Sequence, residues 1–401
     1  MFVLTSRFSL KGILISAIVI LLLASSVTGF FLMPKLYYYG SIVAFGLLVV
    51  FSFRGARIGP FSLVLFLAIC AFSIMINDPP KYFRAWQRYF AFILIIVTVA
   101  PLFTSIELQD LRRQLFTTIM WFCVILSLGS FICFFLGINY FVRNDEVLSI
   151  EAGHFSGLFC HSMLLGPIAG LSAIYTFVAF LSQKKNRILL LIISICCIGS
   201  NLLSASRGAI GACILGLFVA YMFFFRNNMS RGLIIGLFAF AILAASFPLW
   251  SNLTEFVMTK QENNIVEGGT FISRESIWAI RASEIRNHPF TGVGFCCVDS
   301  GITYVDNRTG VIEPGSSWLA VFSMTGILGF ISFLLLFIQS VRKATSMNNQ
   351  AESCLMCASL AFFAFHLVIE GYILAAGSFL CILYWLLLGC IWGEHQNRLS
   401  R

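Results

Sequence analysis

The chain has 401 residues, of which 59% are hydrophobic and only 11% charged, with 43 Phe and a mean hydropathy of +0.93; soluble domains carry about 25% charged residues. That composition excludes a soluble globular protein and defines a polytopic membrane protein. The net charge of +9 comes with no basic stripe and no aromatics interleaved on a polar face, which excludes nucleic acid as a partner.

A membrane-spanning helix needs about 20 apolar residues. Apolar runs occupy residues 13–33, 36–53, 59–76, 89–105, 116–138, 158–182, 188–204, 209–225, 232–251, 317–340, 353–372 and 376–393. The expectation is an all-α integral membrane protein of about twelve transmembrane helices, residues 1–401 forming a single polytopic domain. The first run lies behind Arg7 and Lys11, is long and lacks a small-residue cleavage site. It is expected to be a retained helix rather than a signal peptide, with no soluble domain before or after it. With the N-terminus inside, fifteen of the 26 lysines and arginines fall in short cytoplasmic loops or termini, among them Arg54, Arg57, Arg112, Arg113, Lys184, Lys185, Arg342 and Lys343. Both termini are then cytoplasmic, and topology accounts for most of the net charge.

Most of the 13 cysteines lie inside apolar runs, where cysteine behaves as a small hydrophobe. Cys354 and Cys357 form a lone CxxC with no second ligand pair and read as packing. Cys296 and Cys297 fall on the outer side but are adjacent and poorly placed to bridge each other. The sequons at Asn252 and Asn307 matter only in a eukaryotic secretory setting. No metal site and no cofactor are expected.

Connections are short except for residues 252–316, a large outer loop between helices nine and ten; long loops in compact architectures carry function. Within it "SRESIWAIRASEIRNHPFTGVG" predicts an amphipathic helix near 273–287, with Ser273 as N-cap, Glu275 at the positive end of the dipole, Arg286 near the end and His288-Pro289 closing it. At 100° per residue, Arg274, Trp278, Arg281 and Ile285 share one stripe. Two readings stand: an interfacial helix whose arginines snorkel to lipid headgroups beside an anchoring Trp, or a pair of fixed cations on a ligand-facing stripe. Arg207, in "NLLSASRGAIGAC", interrupts apolar sequence at the outer end of helix seven. A charge at the membrane edge is costly and marks a functional candidate, and a guanidinium offers phosphate oxygens a planar fork that burial does not neutralise.

The order of "SRG" at residues 206–208, "SR" with Trp278, "HPFTGVGF" at 288–295 and "SSWLAVFSMTGILGF" at 316–330 resembles the bacterial O-antigen ligase and polymerase superfamily. The segment "GHFSGLFCHSMLLG" at 153–166 is similar to the start of helix six in those proteins. The resemblance spans essentially the whole chain. It implies a helical fold in the bacterial inner membrane, a site facing the periplasm, and glycan carried on undecaprenyl diphosphate as substrate, with a chain-length regulator and a flippase as possible companions. It also associates Arg207 and Arg274 with the lipid-linked diphosphate. The ligase branch has a catalytic His-Asn pair ahead of helix ten, where this chain has Gly315 and Ser316. That departure points to the Wzy-type polymerase branch, a metal-independent glycosyltransferase.

The chemistry implied is inverting transfer: the donor's anomeric carbon leaves its diphosphate and is captured by a hydroxyl of a second lipid-linked repeat. Arginines stabilise the departing charge. For the acceptor's proton the candidates are Glu313, two residues before Gly315, and Glu370, one helical turn after His366 and able to pair with it. His154 and His161 flank helix six on the outer side and suit proton transfer, or serve as a cap or packed polar group. The binding set expected around these residues is Arg281, Arg286, His154, His161, Trp278 and His288. The rivals are an O-antigen ligase acting on lipid A-core and a polysaccharide transporter or flippase; no internal repeat or midplane charge speaks for transport.

Overall fold

The computed structural model describes residues 10–34, 46, 56–141, 155–230, 232–237, 258, 272–299, 301, 310 and 312–399. Eleven helices are assigned among them: α1 (Leu10–Val27), α2 (Phe61–Asn77), α3 (Ala85–Val99), α4 (Ile106–Phe135), α5 (Ser162–Ser182), α6 (Arg187–Leu203), α7 (Arg207–Phe224), α8 (Ile272–Asn287), α9 (Ser317–Thr345), α10 (Gln350–Ile369) and α11 (Phe379–Leu399). A two-residue antiparallel ladder, β1 (Arg57–Ile58) with β2 (Phe103–Thr104), is the strand pairing between them. By length and apolar composition α4, α5, α7, α9 and α10 are each able to cross a membrane, and α1, α2, α6 and α11 hold shorter apolar stretches. Most of helices two and nine, His154, both sequons and residues 259–271 of the outer loop lie outside the described residues.

The chain divides into two compact units. The first comprises Met1–Ile42, Thr117–Thr270 and Ala344–His366. Its centre is α5, apolar on every face and 83% buried over its most apolar window, as expected of a helix with no polar side. Small polar groups tie its neighbours together: Asn201 Nδ2 of α6 donates to Gly166 O at 2.7 Å, and Ser194 Oγ donates to Ala173 O at 3.1 Å. The His366 ring, buried on α10, stacks on Phe362 at 5.4 Å.

The second unit comprises Val43–Phe116, Phe271–Lys343 and Leu367–Arg401. Its core is aromatic, with Phe92 between Phe295 at 5.4 Å and Trp385 at 5.7 Å, and Phe333 between Phe66 at 5.6 Å and Trp318 at 5.3 Å. Helix α4 begins ten residues before the expected 116, and Arg112 and Arg113, expected in a cytoplasmic loop, are buried in its early turns. Arg112 is held there because its guanidinium donates to Ala100 O at 2.6 Å and Phe103 O at 2.9 Å. Those carbonyls follow the end of α3, the negative end of its dipole, where a cation is favoured.

Helix α9 is broken at Gly326, where φ is +69° and ψ −173°. The bonds lost inside it are replaced from the "HPFTGVGF" segment: Val293 N donates to Ser323 O at 2.8 Å, Gly294 N to Met324 O at 3.2 Å, and Ile327 N to Pro289 O at 2.8 Å. Ser73 Oγ, 2.7 Å from both Met324 O and Thr291 O, pins α2 to the same crossing. A Cβ at Gly326 would stand 2.1 Å from Phe290 O, so the two backbones approach where only glycine fits. Irregular backbone in an apolar helix is tolerated only where protein satisfies its polar groups, as here.

Candidate functional site

In the second unit α8 presents its Arg274–Ile285 stripe to protein. Arg281 is 1% exposed and its Nη1 meets Glu284 Oε2 at 2.8 Å, Glu284 being fully buried. Arg281 also donates to Ser323 Oγ at 3.2 Å, Cys297 O at 3.4 Å and Pro314 O at 3.4 Å, while Glu284 accepts from Asp299 N at 2.9 Å. A snorkelling role for Arg281 is therefore ruled out: its charge is compensated inside, and breaking such a pair leaves an uncompensated buried ion. Arg286 is exposed and His288 half-buried. Trp278 packs its ring near Gly315, whose φ is +71°.

Arg274 occupies the head of the stripe and bridges two carboxylates. Its Nη1 donates to Glu313 Oε1 at 2.8 Å and its Nη2 to Glu370 Oε1 at 2.6 Å. The environments differ: the Glu313 side chain is 65% exposed, that of Glu370 21%. Glu370, expected within a helix, lies just past the end of α10, and its carboxylate reaches Arg274. The end is fixed from α9, since Ser317 N and Oγ both donate to Glu370 O, at 3.0 and 2.7 Å, and Ser317 Oγ in turn accepts from Tyr372 N at 3.1 Å. Ser316 Oγ accepts from Leu319 N at 3.4 Å in the manner of an N-cap and donates to Leu367 O at 3.3 Å. The "GSS" stretch is thus a structural joint between α9 and the end of α10.

Beside this joint lies a cavity of about 460 Å³, within the range of roughly 300–1,000 Å³ of small-molecule sites. Arg88, which the sequence reading passed over, lines it, with Cys296, Pro314, Ser317, Ala320, Met324 and residues 371–378 except Tyr372. Arg88 is half-buried; its Nη2 donates to Gly310 O at 2.7 Å and its Nη1 to Cys296 O at 3.3 Å. The signal for it was present in "RAWQR", two arginines four residues apart at a helix start. Cys296 and Cys297 are buried free thiols, and burial pushes both up to about 12 against the nearby Arg88 and Arg281 charges.

In the first unit Arg207 is the first residue of α7, half-buried, after a three-residue turn from α6 in which Ala205 has φ +51°. Ser204 shapes that turn, donating from Oγ to Asn201 O at 2.7 Å and accepting from Ser206 N at 3.2 Å. Ser206, at the N-cap, makes no side-chain capping bond. An arginine here sits at the positive end of a helix dipole, where a cation is disfavoured and an anion welcomed. His161 is the N-cap of α5, its Nδ1 accepting from Met163 N at 3.0 Å.

Fold and site together define a helical membrane protein with arginines placed at helix starts and in polar clusters. Residues 189–334 match the family model described as O-antigen ligase, a segment of about a third of the chain. The matched segment contains Arg207, Arg274, Arg281 and Glu313. No curated protein matches the sequence significantly. A chain from a solved peptidoglycan synthase complex, described as coordinating polymerization and crosslinking, is similar at 15% identity over 85% of this chain and 98% of that one, with a TM-score of 0.47.

Proposed function

We propose that this chain polymerises lipid-linked repeat units of a surface polysaccharide such as O-antigen. In this reading residues 1–401 form one twelve-helix domain of the bacterial inner membrane, with the 252–316 loop in the periplasm. The growing glycan leaves undecaprenyl diphosphate with inversion and passes to a hydroxyl of a second lipid-linked repeat.

The observation that carries the reading is position 315, inside the O-antigen ligase match. The ligase branch's histidine would stand there, but Gly315 has a left-handed φ and a Cβ on it would meet Ile277 Cγ2 at 2.5 Å. A histidine on this backbone would be strained and would have to push aside the Ile277 side chain of α8. The difference from a ligase is therefore built into the main chain, which favours the polymerase branch. Arg207 and Arg274 keep the diphosphate-binding role that the resemblance implies; at Arg207 the N–H groups of the first helical turn add to the anion's environment. Of the two carboxylates on Arg274, Glu313 is the more accessible to an acceptor hydroxyl.

The experiment is reconstitution of the purified chain with lipid-diphosphate repeat units and no gradient, read as a ladder of longer lipid-linked chains. Failure under conditions in which a known polymerase works overturns the reading. The family model's description as a ligase favours one alternative, and transfer to added lipid A-core would establish it instead.

A further inference from the structure

We infer that the cavity in the second unit holds the phosphate end and first isoprenoid units of a polyprenyl carrier, which adds Arg88 to the phosphate ligands that the proposed function assigns. This deepens the proposed function and rests on it for the identity of the carrier. The walls are apolar, formed by Ala91, Ile312, Pro314, Ala320, Ile373 and Leu374. The described lining includes no aromatic ring, carboxylate or side-chain amide, the groups with which a sugar would be stacked and hydrogen-bonded. An apolar chain suits such walls better than a saccharide.

The electrostatics select the head of that chain. Arg88 lies in the first turn of α3, Ser317 opens α9, and Ser378 directly precedes α11, its carbonyl accepting from Ile382 N at 3.2 Å. First-turn or N-cap residues of three helices thus border one cavity, where the positive helix ends favour an anion, together with a guanidinium and no carboxylate in the described lining. Arg88 spends one bond from each terminal nitrogen on carbonyls, which fix its plane and leave further N–H groups of its five for a ligand. A phosphate attached to an apolar chain satisfies both halves of the site.

The test is direct binding to the purified full chain in nanodiscs, with farnesyl diphosphate as probe and no glycan acceptor present. Arg88→Gln should weaken farnesyl diphosphate at least tenfold while leaving farnesol unchanged. Ala376→Trp, in the half-buried loop wall, should weaken both probes, as should Ala320→Phe inside the first turn of α9. Inorganic pyrophosphate and phosphatidylglycerol should each compete at least tenfold more weakly than farnesyl diphosphate. The inference is overturned if Arg88→Gln and Ala376→Trp, with wild-type thermal stability, bind farnesyl diphosphate as wild type does, or if either competitor matches it. Because the assay needs no turnover, a failed polymerisation with intact, variant-sensitive binding refutes the proposed reaction and not the cavity. Active polymerisation with insensitive binding refutes the cavity alone.

Discussion

Arg274 holds two carboxylates in unequal surroundings, and the inequality fixes how the three residues respond to mutation. At 2.6 Å the attraction between Arg274 and Glu370 is about 6 kcal/mol at an effective dielectric near 20, but most of that is offset by desolvation. Exposed pairs yield about 0–1 kcal/mol net, and breaking a fully buried pair costs about 3–5 kcal/mol. With side chains 13% and 21% exposed, the Arg274–Glu370 pair falls between these limits, at a coupling of about 2 kcal/mol, or roughly 30-fold in the folded-to-unfolded ratio. Glu313 is 65% exposed and should couple to Arg274 by about 0.5 kcal/mol or less. Two double-mutant cycles, Arg274→Ala with Glu370→Ala and with Glu313→Ala, measured by equilibrium unfolding in mixed micelles, give both couplings. Equal values, or a larger one for Glu313, would refute the argument from exposure. So would a Glu370 coupling near zero, which would mean that Ser317 alone holds this chain segment.

Arg207→Ala and Arg207→Lys should both abolish chain extension while the protein still inserts and folds, because lysine keeps the charge and loses the planar fork; lysine at near wild-type activity would restore the anchoring role. Gly326→Ala should cost about 3 kcal/mol or more, combining about 1–2 kcal/mol for a left-handed non-glycine residue with overpacking against Phe290 O at 2.1 Å. Gly377→Ala, where a Cβ would meet nothing within 4 Å, should cost clearly less, and thermal unfolding of the two variants compares them directly. Cys296 and Cys297, pushed up to about 12 chiefly by burial, should resist alkylation at neutral pH in the folded protein. Unfolded thiols ionise near pH 8.5, so the native state binds more protons above that pH. The stability linked to these thiols is complete below about pH 8.5 and declines as pH rises toward 12; a Cys296→Ala, Cys297→Ala variant should lose that alkaline slope.

The apolar runs made the helices legible because burial in lipid or protein needs continuous hydrophobicity, and α8 was legible from its arginine stripe and His-Pro stop. Contacts between distant segments were not. Arg112 and Arg113 read as a loop because charge normally stays in water; the carbonyls that hold Arg112 inside come from the end of the preceding helix. The break at Gly326 was hidden for the same reason, since the amides that repair it belong to Val293 and Gly294, some thirty residues earlier. At the candidate site, Arg274, Glu313 and Glu370 were each singled out, but no spacing shows that one guanidinium bridges both acids. Arg88 escaped notice because its carbonyl partners and its cavity are assembled from segments more than 200 residues away.

The bridging geometry also orders the proposed chemistry. Without a histidine at 315, the proposed reaction leaves a carboxylate to take the acceptor hydroxyl's proton, yet both nearby acids are engaged by Arg274. A diphosphate arriving at the guanidinium competes with them, and the weaker contact yields first. Glu313 is the exposed partner, while Glu370 has its backbone held by two bonds from Ser317. In the proposed reaction, donor binding would free Glu313 as the base and leave Glu370 to keep Arg274 aimed. Glu313→Gln should then lower turnover about 100-fold or more, the usual scale of general-base loss, with donor affinity unchanged or slightly improved. Glu370→Gln should weaken donor binding and turnover together. A Glu313→Gln enzyme with normal turnover, measured on pre-bound donor across a pH series, would remove Glu313 from the proton path.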